Sequence, residues 1–209
     1  MRVLMVDDHA IVREGLKRVL AGMGDGIQVG EATNAARALH LARKAEWDCA
    51  LVDIALPGKT GLELLKELKR EKPALPVIVL SMFPEEQYAV RMLRSGASAY
   101  LNKESAPEQL VDAIRAALRG EKYLSPRMAT QIASRMGVES TRPPHELLSD
   151  REFTVMRMMA SGVTPRDIAQ QLSLSIKTVS TYRSRILQKL TLQNNAQLIA
   201  YAVKNGLVT

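Results

Sequence analysis

The stretch that decides the fold is Trp47-Asp48-Cys49-Ala50-Leu51-Val52-Asp53-Ile54-Ala55-Leu56-Pro57-Gly58. The apolar run Cys49 to Val52 ends in a lone carboxylate, and a Pro-Gly pair follows four residues later. A short run bounded by breakers reads as a strand buried in a parallel sheet. Such a strand stops at Asp53 with the carboxylate at its carboxyl end, the edge where open α/β sheets bind ligands.

Around this strand, strand-like and helix-like segments alternate. Arg2–Val6, Ile27–Ala32, Cys49–Asp53, Val77–Ser81 and Ser98–Asn102 read as strands. Between and after them, His9–Leu20, Ala35–Lys44, Gly61–Glu71, Glu85–Ser95 and Ala106–Arg119 have helical spacing. In the last, Leu110, Ile114, Ala117 and Leu118 form one apolar stripe. Pro107 in a first turn and Gly96 after Leu93 punctuate the helices. Five strands alternating with five helices predict a doubly wound, five-stranded parallel α/β sheet over residues 1–120.

The carboxyl ends of the predicted strands carry Asp7-Asp8, Asp53, Ser81 and Asn102-Lys103. An aspartate after a strand is most often a cap or turn residue. Several polar groups at one edge say more. Three carboxylates in one crevice repel unless a cation sits among them, and an all-oxygen donor set suits Mg²⁺. Lys103 adds a point charge and Ser81 a hydroxyl for a phosphoryl oxygen. This is the inventory for phosphoryl transfer, in which positioning and charge neutralisation supply most of the rate. No Ser, Cys or His nucleophile with an adjacent base is evident, so Asp53 is the candidate acceptor.

These residues resemble the receiver domains of two-component response regulators. The resemblance spans residues 1 to about 120 and rests on Asp7-Asp8, Asp53-Ile54-Ala55-Leu56-Pro57-Gly58, Ser81, Tyr100 and Lys103-Glu104. It implies that Asp53 takes a phosphoryl group from a histidine kinase or phosphorelay protein. It implies Mg²⁺ held by Asp8, Asp53 and the Ala55 carbonyl, with Asp7 acting through water. Lys103 would pair with the phosphoryl group, Ser81 would close onto it, and Tyr100 would turn inward. Ser81 stands where threonine is commoner, and Leu56 where methionine is. Receiver dimers are expected through the first and fifth helices, with Ile114 and Ala117 as contact candidates.

Residues 121–145 read as a linker. A turn at Tyr123-Leu124-Ser125-Pro126 leads to a short helix over Arg127–Met136, stopped by Gly137, and a Pro143-Pro144 tether follows. Residues 146–209 then read as four helices. Ser149-Asp150-Arg151-Glu152 is a capping box that opens the first, whose Met156, Met158 and Met159 read as core filler. Thr164-Pro165 opens the second. The third runs from Ile176 to Leu190 with Ile176, Val179, Ile186 and Leu190 facing inward. The fourth, Asn195–Lys204, presents Leu198, Ile199, Ala202 and Val203, and Gly206 stops it. The second and third form a helix-turn-helix. The third carries Lys177, Thr178, Ser180, Thr181, Arg183, Ser184, Arg185, Gln188 and Lys189, residue types that contact phosphates and base edges of double-stranded DNA.

Charge agrees with that division. Residues 1–120 hold 17 Lys+Arg against 16 Asp+Glu, whereas 146–209 hold 8 against 4, so the last third carries +4 of the net +7. The stretch from Leu174 to Leu190, with Leu148–Glu152, resembles LuxR-type DNA-binding domains. Joined to a receiver it is similar to the NarL/FixJ family, in the branch that contains the virulence regulators BvgA and GacA. By that resemblance Ser180, Thr181 and Ser184 face the bases, while Lys177, Arg183 and Gln188 add specificity through direct or water-mediated contacts. The fourth helix would be a dimer contact, with Leu198 and Tyr201 packing either within the domain or across a two-fold.

The sequence also excludes alternatives. One cysteine permits no intramolecular disulfide and no Cys-based zinc cluster. The start of the chain meets acid at Asp7-Asp8 too early for a signal peptide, and no apolar run spans a bilayer. A cytoplasmic protein is the expectation. A small-molecule phosphatase would need a general acid two residues after the acceptor, where Ala55 stands. The expected protein is a phosphorylation-controlled transcription factor, not an enzyme, and a homodimer when phosphorylated or DNA-bound.

Overall fold

The structure is a computed structural model of the 209-residue chain. It describes every residue except 83–84, 106, 127, 131–142 and 209, and backbone only at 86 and 87. Two compact units divide it, 1–134 and 135–209.

In the first unit the strands are β1 (Arg2–Val6), β2 (Gln28–Ala32), β3 (Cys49–Asp53), β4 (Val77–Ser81) and β5 (Ala99–Asn102). The helices are α1 (Ala10–Ala21), α2 (Ala35–Lys44), α3 (Gly61–Glu71), α4 (Glu85–Arg94) and α5 (Pro107–Leu118). All strand pairs are parallel, in the order β2-β1-β3-β4-β5. Every residue of β3 and β4 is buried, which is why both read as continuous apolar runs. One face packs Val3, Met5, Cys49, Leu51, Ile78, Leu80, Ala99 and Leu101 against Leu110, Ala113, Ile114 and Ala117 of α5. The opposite face is covered in part by α2 and α3. Strand order reverses between β1 and β3, so the chain leaves these two neighbours in opposite directions and opens a crevice at their carboxyl ends. That crevice positions Asp7, Asp8 and Asp53.

Ile114 and Ala117 are at most 1% exposed. They are core residues facing the sheet, so the expectation that they contact a second receiver is corrected. The outward apolar residues of the first and fifth helices are Ile11 and Leu118.

The segment after α5 is attached to the first unit. Tyr123 N–H donates to the Ser98 carbonyl at 2.9 Å and pairs in parallel with Ala99. Met128 is 2% exposed. Residues 128–130 are helical; the rest of the helix expected over Arg127–Met136, and its stop at Gly137, lie outside the described residues.

Among the described residues of the second unit, a 3-10 turn at Pro144–Leu147 comes first. The unit's helices are α6 (Asp150–Ala160), α7 (Pro165–Gln171), α8 (Ile176–Lys189) and α9 (Asn195–Lys204). Ser149 accepts from Glu152 N–H while Glu152 accepts from Ser149 N–H, which completes the capping box. Thr164, Ser175 and Asn194 cap the others. Val155, Met156, Ile168, Val179, Ile186, Leu198 and Ala202 make the core, each at most 1% exposed. One apolar expectation, that Ile176 faces inward, is corrected. Ile176 is 53% exposed because its angle fits the stripe but its place in the first turn leaves it uncovered. Ile199 and Val203 are exposed because they sit one helical step of about 100° off the row of Leu198 and Ala202. Leu198 packs inside the unit, and Tyr201 Oη lies 3.0 Å from His145 Nδ1. Among the described residues no helix is long and apolar enough to cross a membrane.

Candidate functional site

Asp53 is the last residue of β3 and is 1% exposed; Asp7, just after β1, is buried equally. Lys103 enters from the end of β5, where its N–H donates to the Ser81 carbonyl at 2.7 Å and so ties it to β4. Its ammonium donates to Asp7 Oδ2 at 2.7 Å and lies 2.8 Å from Asp53 Oδ2. One cation thus bridges two buried carboxylates. The ends of Asp53 are fixed differently. Oδ1 accepts from the Ala55 amide at 3.1 Å, which turns the loop back under the carboxylate. Oδ2 is buried against the Lys103 ammonium, its ion-pair partner.

Asp8 is partly exposed at the mouth of the crevice. His9, which the sequence suggested only as a helix start, joins the acids: its amide donates to Asp7 Oδ1 at 2.8 Å and its Nδ1 is 3.0 Å from Asp8 Oδ1. Ligand atoms of Asp7, Asp8, His9 and Asp53 all lie within 4.8 Å of one another. Arg13 donates to the Asp7 carbonyl at 2.8 Å and holds the β1–α1 turn. Asp7, Asp8 and Asp53, with His9 beside them, could hold a metal ion.

Burial raises the Asp53 carboxyl above the ordinary carboxylate range; Lys103 and the Ala55 amide oppose this, and Asp7 reinforces it. For Lys103 burial alone would lower the ammonium, but its bonds to Asp53 and Asp7 outweigh burial and the net shift is upward. The signs follow by linkage. Asp53 favours the fold at acid pH, and that contribution is lost as pH rises through its raised pKa. The Lys103 contribution is held through neutrality and lost as pH rises through its own raised value.

Ser81 is fully buried at the end of β4, and Tyr100 is 3% exposed on β5. Their registers, Ser81 beside Asn102 and Val79 beside Tyr100, put both side chains on one sheet face.

Gly61 was not singled out by sequence spacing. A Cβ there would lie 2.2 Å from the Asp53 carbonyl oxygen and 2.7 Å from Ile54 Cα, because the first turn of α3 rests on the end of β3. Gly61→Ala is therefore expected to lower stability by about 3 kcal/mol, at the upper end for an overpacked site. Urea unfolding checks this; an unchanged midpoint would mean the contact relaxes freely.

In the second unit, the residues of α8 predicted to meet DNA divide in two. Lys177, Ser180, Thr181, Ser184, Arg185, Gln188 and Lys189 are exposed. The Thr181 and Ser184 hydroxyls donate to the Lys177 and Ser180 carbonyls, so their oxygens face outward as acceptors. Thr178 is half-buried, its hydroxyl 2.8 Å from that of Ser175. Arg183 and Lys189 have partners within the unit. Arg183 Nε donates to Asn195 Oδ1 at 2.7 Å, and Lys189 Nζ to Glu152 Oε2 at 2.6 Å. Burial tends to raise the Glu152 carboxyl, but Lys189 and Ser149 outweigh it and the net shift is downward. Contacts between sequence-distant helices left no local signal in the sequence.

The two kinds of lysine make different predictions. Lys177→Ala is expected to lower the slope of log affinity against log salt by about one. Lys189→Met is expected to leave most of that slope while lowering stability by about 1 kcal/mol, a small figure because the pair is partly exposed. Equal slope losses would make Lys189 a phosphate contact as well.

Comparison with known proteins agrees with both units. Residues 3–115 match the response regulator receiver domain, and residues 146–202 match the luxR family of bacterial regulatory proteins. The response regulator GacA of Pseudomonas viridiflava is 37% identical over 210 residues, covering 100% of this chain and 98% of that protein. The response regulator UvrY of Escherichia coli K12 is 35% identical over 208 residues, covering 99% and 95%. RcsB of Salmonella enterica serovar Typhimurium, solved on a promoter with the phosphomimetic BeF3-, has a TM-score of 0.66 at 28% identity, covering 98% of each chain. The chain belongs to the NarL/FixJ family of two-component response regulators, in the GacA/UvrY branch, and is a transcription regulator with a receiver and a LuxR-type DNA-binding domain.

Proposed function

We propose that Asp53 is the phosphoryl acceptor of this receiver, and that its phosphorylation by a histidine kinase or phosphorelay protein controls binding of α8 to specific DNA. The observation that carries this is Lys103 bridging the buried carboxylates of Asp7 and Asp53 beside the acidic cluster. The Asp53 oxygen forms the new bond to phosphorus as the bond from phosphorus to the donor's imidazole nitrogen breaks. Asp7, Asp8, Asp53 and the Ala55 carbonyl would hold Mg²⁺, which when bound neutralises charge on the phosphoryl oxygens. Lys103, 2.8 Å from Asp53 Oδ2, would pair with a phosphoryl oxygen. Ser81 donates its hydroxyl to another, and Tyr100 fills the space behind it.

For DNA, Lys177, Arg185 and Gln188 supply charge and donors, and Ser180, Thr181 and Ser184 supply small acceptors toward base edges. Thr178, Arg183 and Lys189 support the helix and flank the same surface. The phosphorylated protein acts as a homodimer on two half-sites, in the cytoplasm where its DNA and kinase meet. We take 1–120 as the receiver, 121–145 as the linker and 146–209 as the DNA-binding domain; the matched segments 3–115 and 146–202 fall within the first and the last. Intact mass after incubation with acetyl phosphate tests the acceptor: one added phosphoryl group, dependent on Mg²⁺, is expected. No addition from either acetyl phosphate or a phosphorylated kinase would overturn it.

A further inference from the structure

We propose that Asn195 is a positioning residue, which orients Arg183 in advance for a phosphate on one wall of the DNA major groove. This rests on the reading of α8 as the DNA-contacting helix given above.

Consecutive residues of an α-helix are about 100° apart. With Ser184 directed at the base edges, Arg183 and Arg185 therefore point to opposite sides, toward the two phosphate walls that border the groove. The fold treats these two arginines differently. Arg185 is exposed and has no partner among the described residues. Arg183 is half-buried, and its Nε donates to Asn195 Oδ1 at 2.7 Å. That bond joins α8 to the first turn of α9. It uses one N–H of the guanidinium and leaves both Nη groups, which have no other partner among the described residues. The two Nη groups form a planar fork that matches two oxygens of one phosphate.

Asn195 is itself held in place. Leu192 N–H donates to the Leu187 carbonyl at 2.8 Å across Thr191, whose φ of 56° reverses the chain after α8. Asn194 then caps α9 by accepting from Gln197 N–H at 3.0 Å. Asn195 thus begins its helix at a fixed place beside Arg183, although 12 positions separate the two. A free arginine loses rotamer freedom when it meets a phosphate. Arg183 has given up part of that freedom before DNA arrives, whereas Arg185 loses it on binding.

Binding of the full chain to labelled duplex DNA, with Mg²⁺ and BeF3- present, tests this. The probes are a duplex enriched by the wild-type chain from a random-sequence pool and an unrelated duplex of equal length. Asn195→Ala is expected to weaken binding to both about fivefold, the scale of ordering one long side chain. Arg183→Lys keeps the charge but not the fork, and is expected to lose a similar factor with an unchanged salt slope. Arg183→Ala is expected to lower that slope by about one. In either Arg183 variant, adding Asn195→Ala is expected to have no further effect, because the pair acts as one unit. Wild-type affinity in Asn195→Ala would overturn the proposal. So would an equal loss with and without Arg183, which would make Asn195 a structural residue only. An unchanged salt slope in Arg183→Ala would remove the phosphate contact, and the proposal with it. If Lys177→Ala weakens binding while Arg183 and Asn195 show no coupling, the reading of α8 stands and this proposal alone falls. A wild-type chain that binds neither duplex overturns both.

Discussion

Asp53→Asn is expected to take up no phosphoryl group from acetyl phosphate, with or without Mg²⁺, while keeping its fold. Chemistry stops because the amide is a poor nucleophile and the substitution removes one of the anionic donors for the cation. The fold survives because ionised Asp53 is held against its burial, as its raised pKa records. The amide relieves that burial, and Lys103 keeps its bond to Asp7. Unfolding of the metal-free variant should thus occur at the wild-type temperature or above, and added Mg²⁺ should raise it less than in wild type. Mass spectrometry and thermal unfolding together check the pair of outcomes. Phosphoryl label retained by the variant would point to another acceptor, and unfolding well below wild type would mean that Asp53 is needed for structure.

Lys103→Met is expected to act in the opposite sense, lowering stability at neutral pH by about 3 kcal/mol, the scale seen when one partner of a buried ion pair is removed. Asp7 and Asp53, each 1% exposed, then face each other without a cation. Losing Lys103 removes the group that restrains the Asp53 pKa, so that pKa rises further. An acid whose folded pKa is raised stabilises the fold below its unfolded value and loses that contribution as pH rises through the folded value. The Lys103→Met deficit should therefore be largest near neutrality, shrink toward acid pH, and shrink again on adding Mg²⁺ at neutral pH. Urea titrations at two pH values, with and without Mg²⁺, measure this. A deficit independent of both would mean that the lysine acts by packing its stem and not by its charge.

The sequence carried most of the receiver. Buried parallel strands must be apolar throughout, so Cys49–Asp53 and Val77–Ser81 were legible as short runs, and the bounds found agree with those expected. The alternation of strand and helix dictated the layers, and the polar residue ending each run marked the crevice. Capping was equally local: the Ser149–Glu152 box lies within four residues, so its chemistry can be read without a fold.

Tertiary structure decided whatever depends on partners distant along the chain. Lys103 meets Asp7 across 96 positions, and no local pattern shows that one ammonium serves two carboxylates. Burial within a helical stripe depends on what lies opposite, so Ile114 and Ala117 proved internal while Ile176, Ile199 and Val203 proved exposed. The segment after α5 is polar enough to pass for a plain tether; only the approach of α4 and β5 gives Lys122, Tyr123 and Ser125 their partners. Periodicity and breakers are properties of neighbouring residues and are written in the chain itself. Which lysine meets which carboxylate depends on the order in which the strands pack, and that order exists only in the folded molecule.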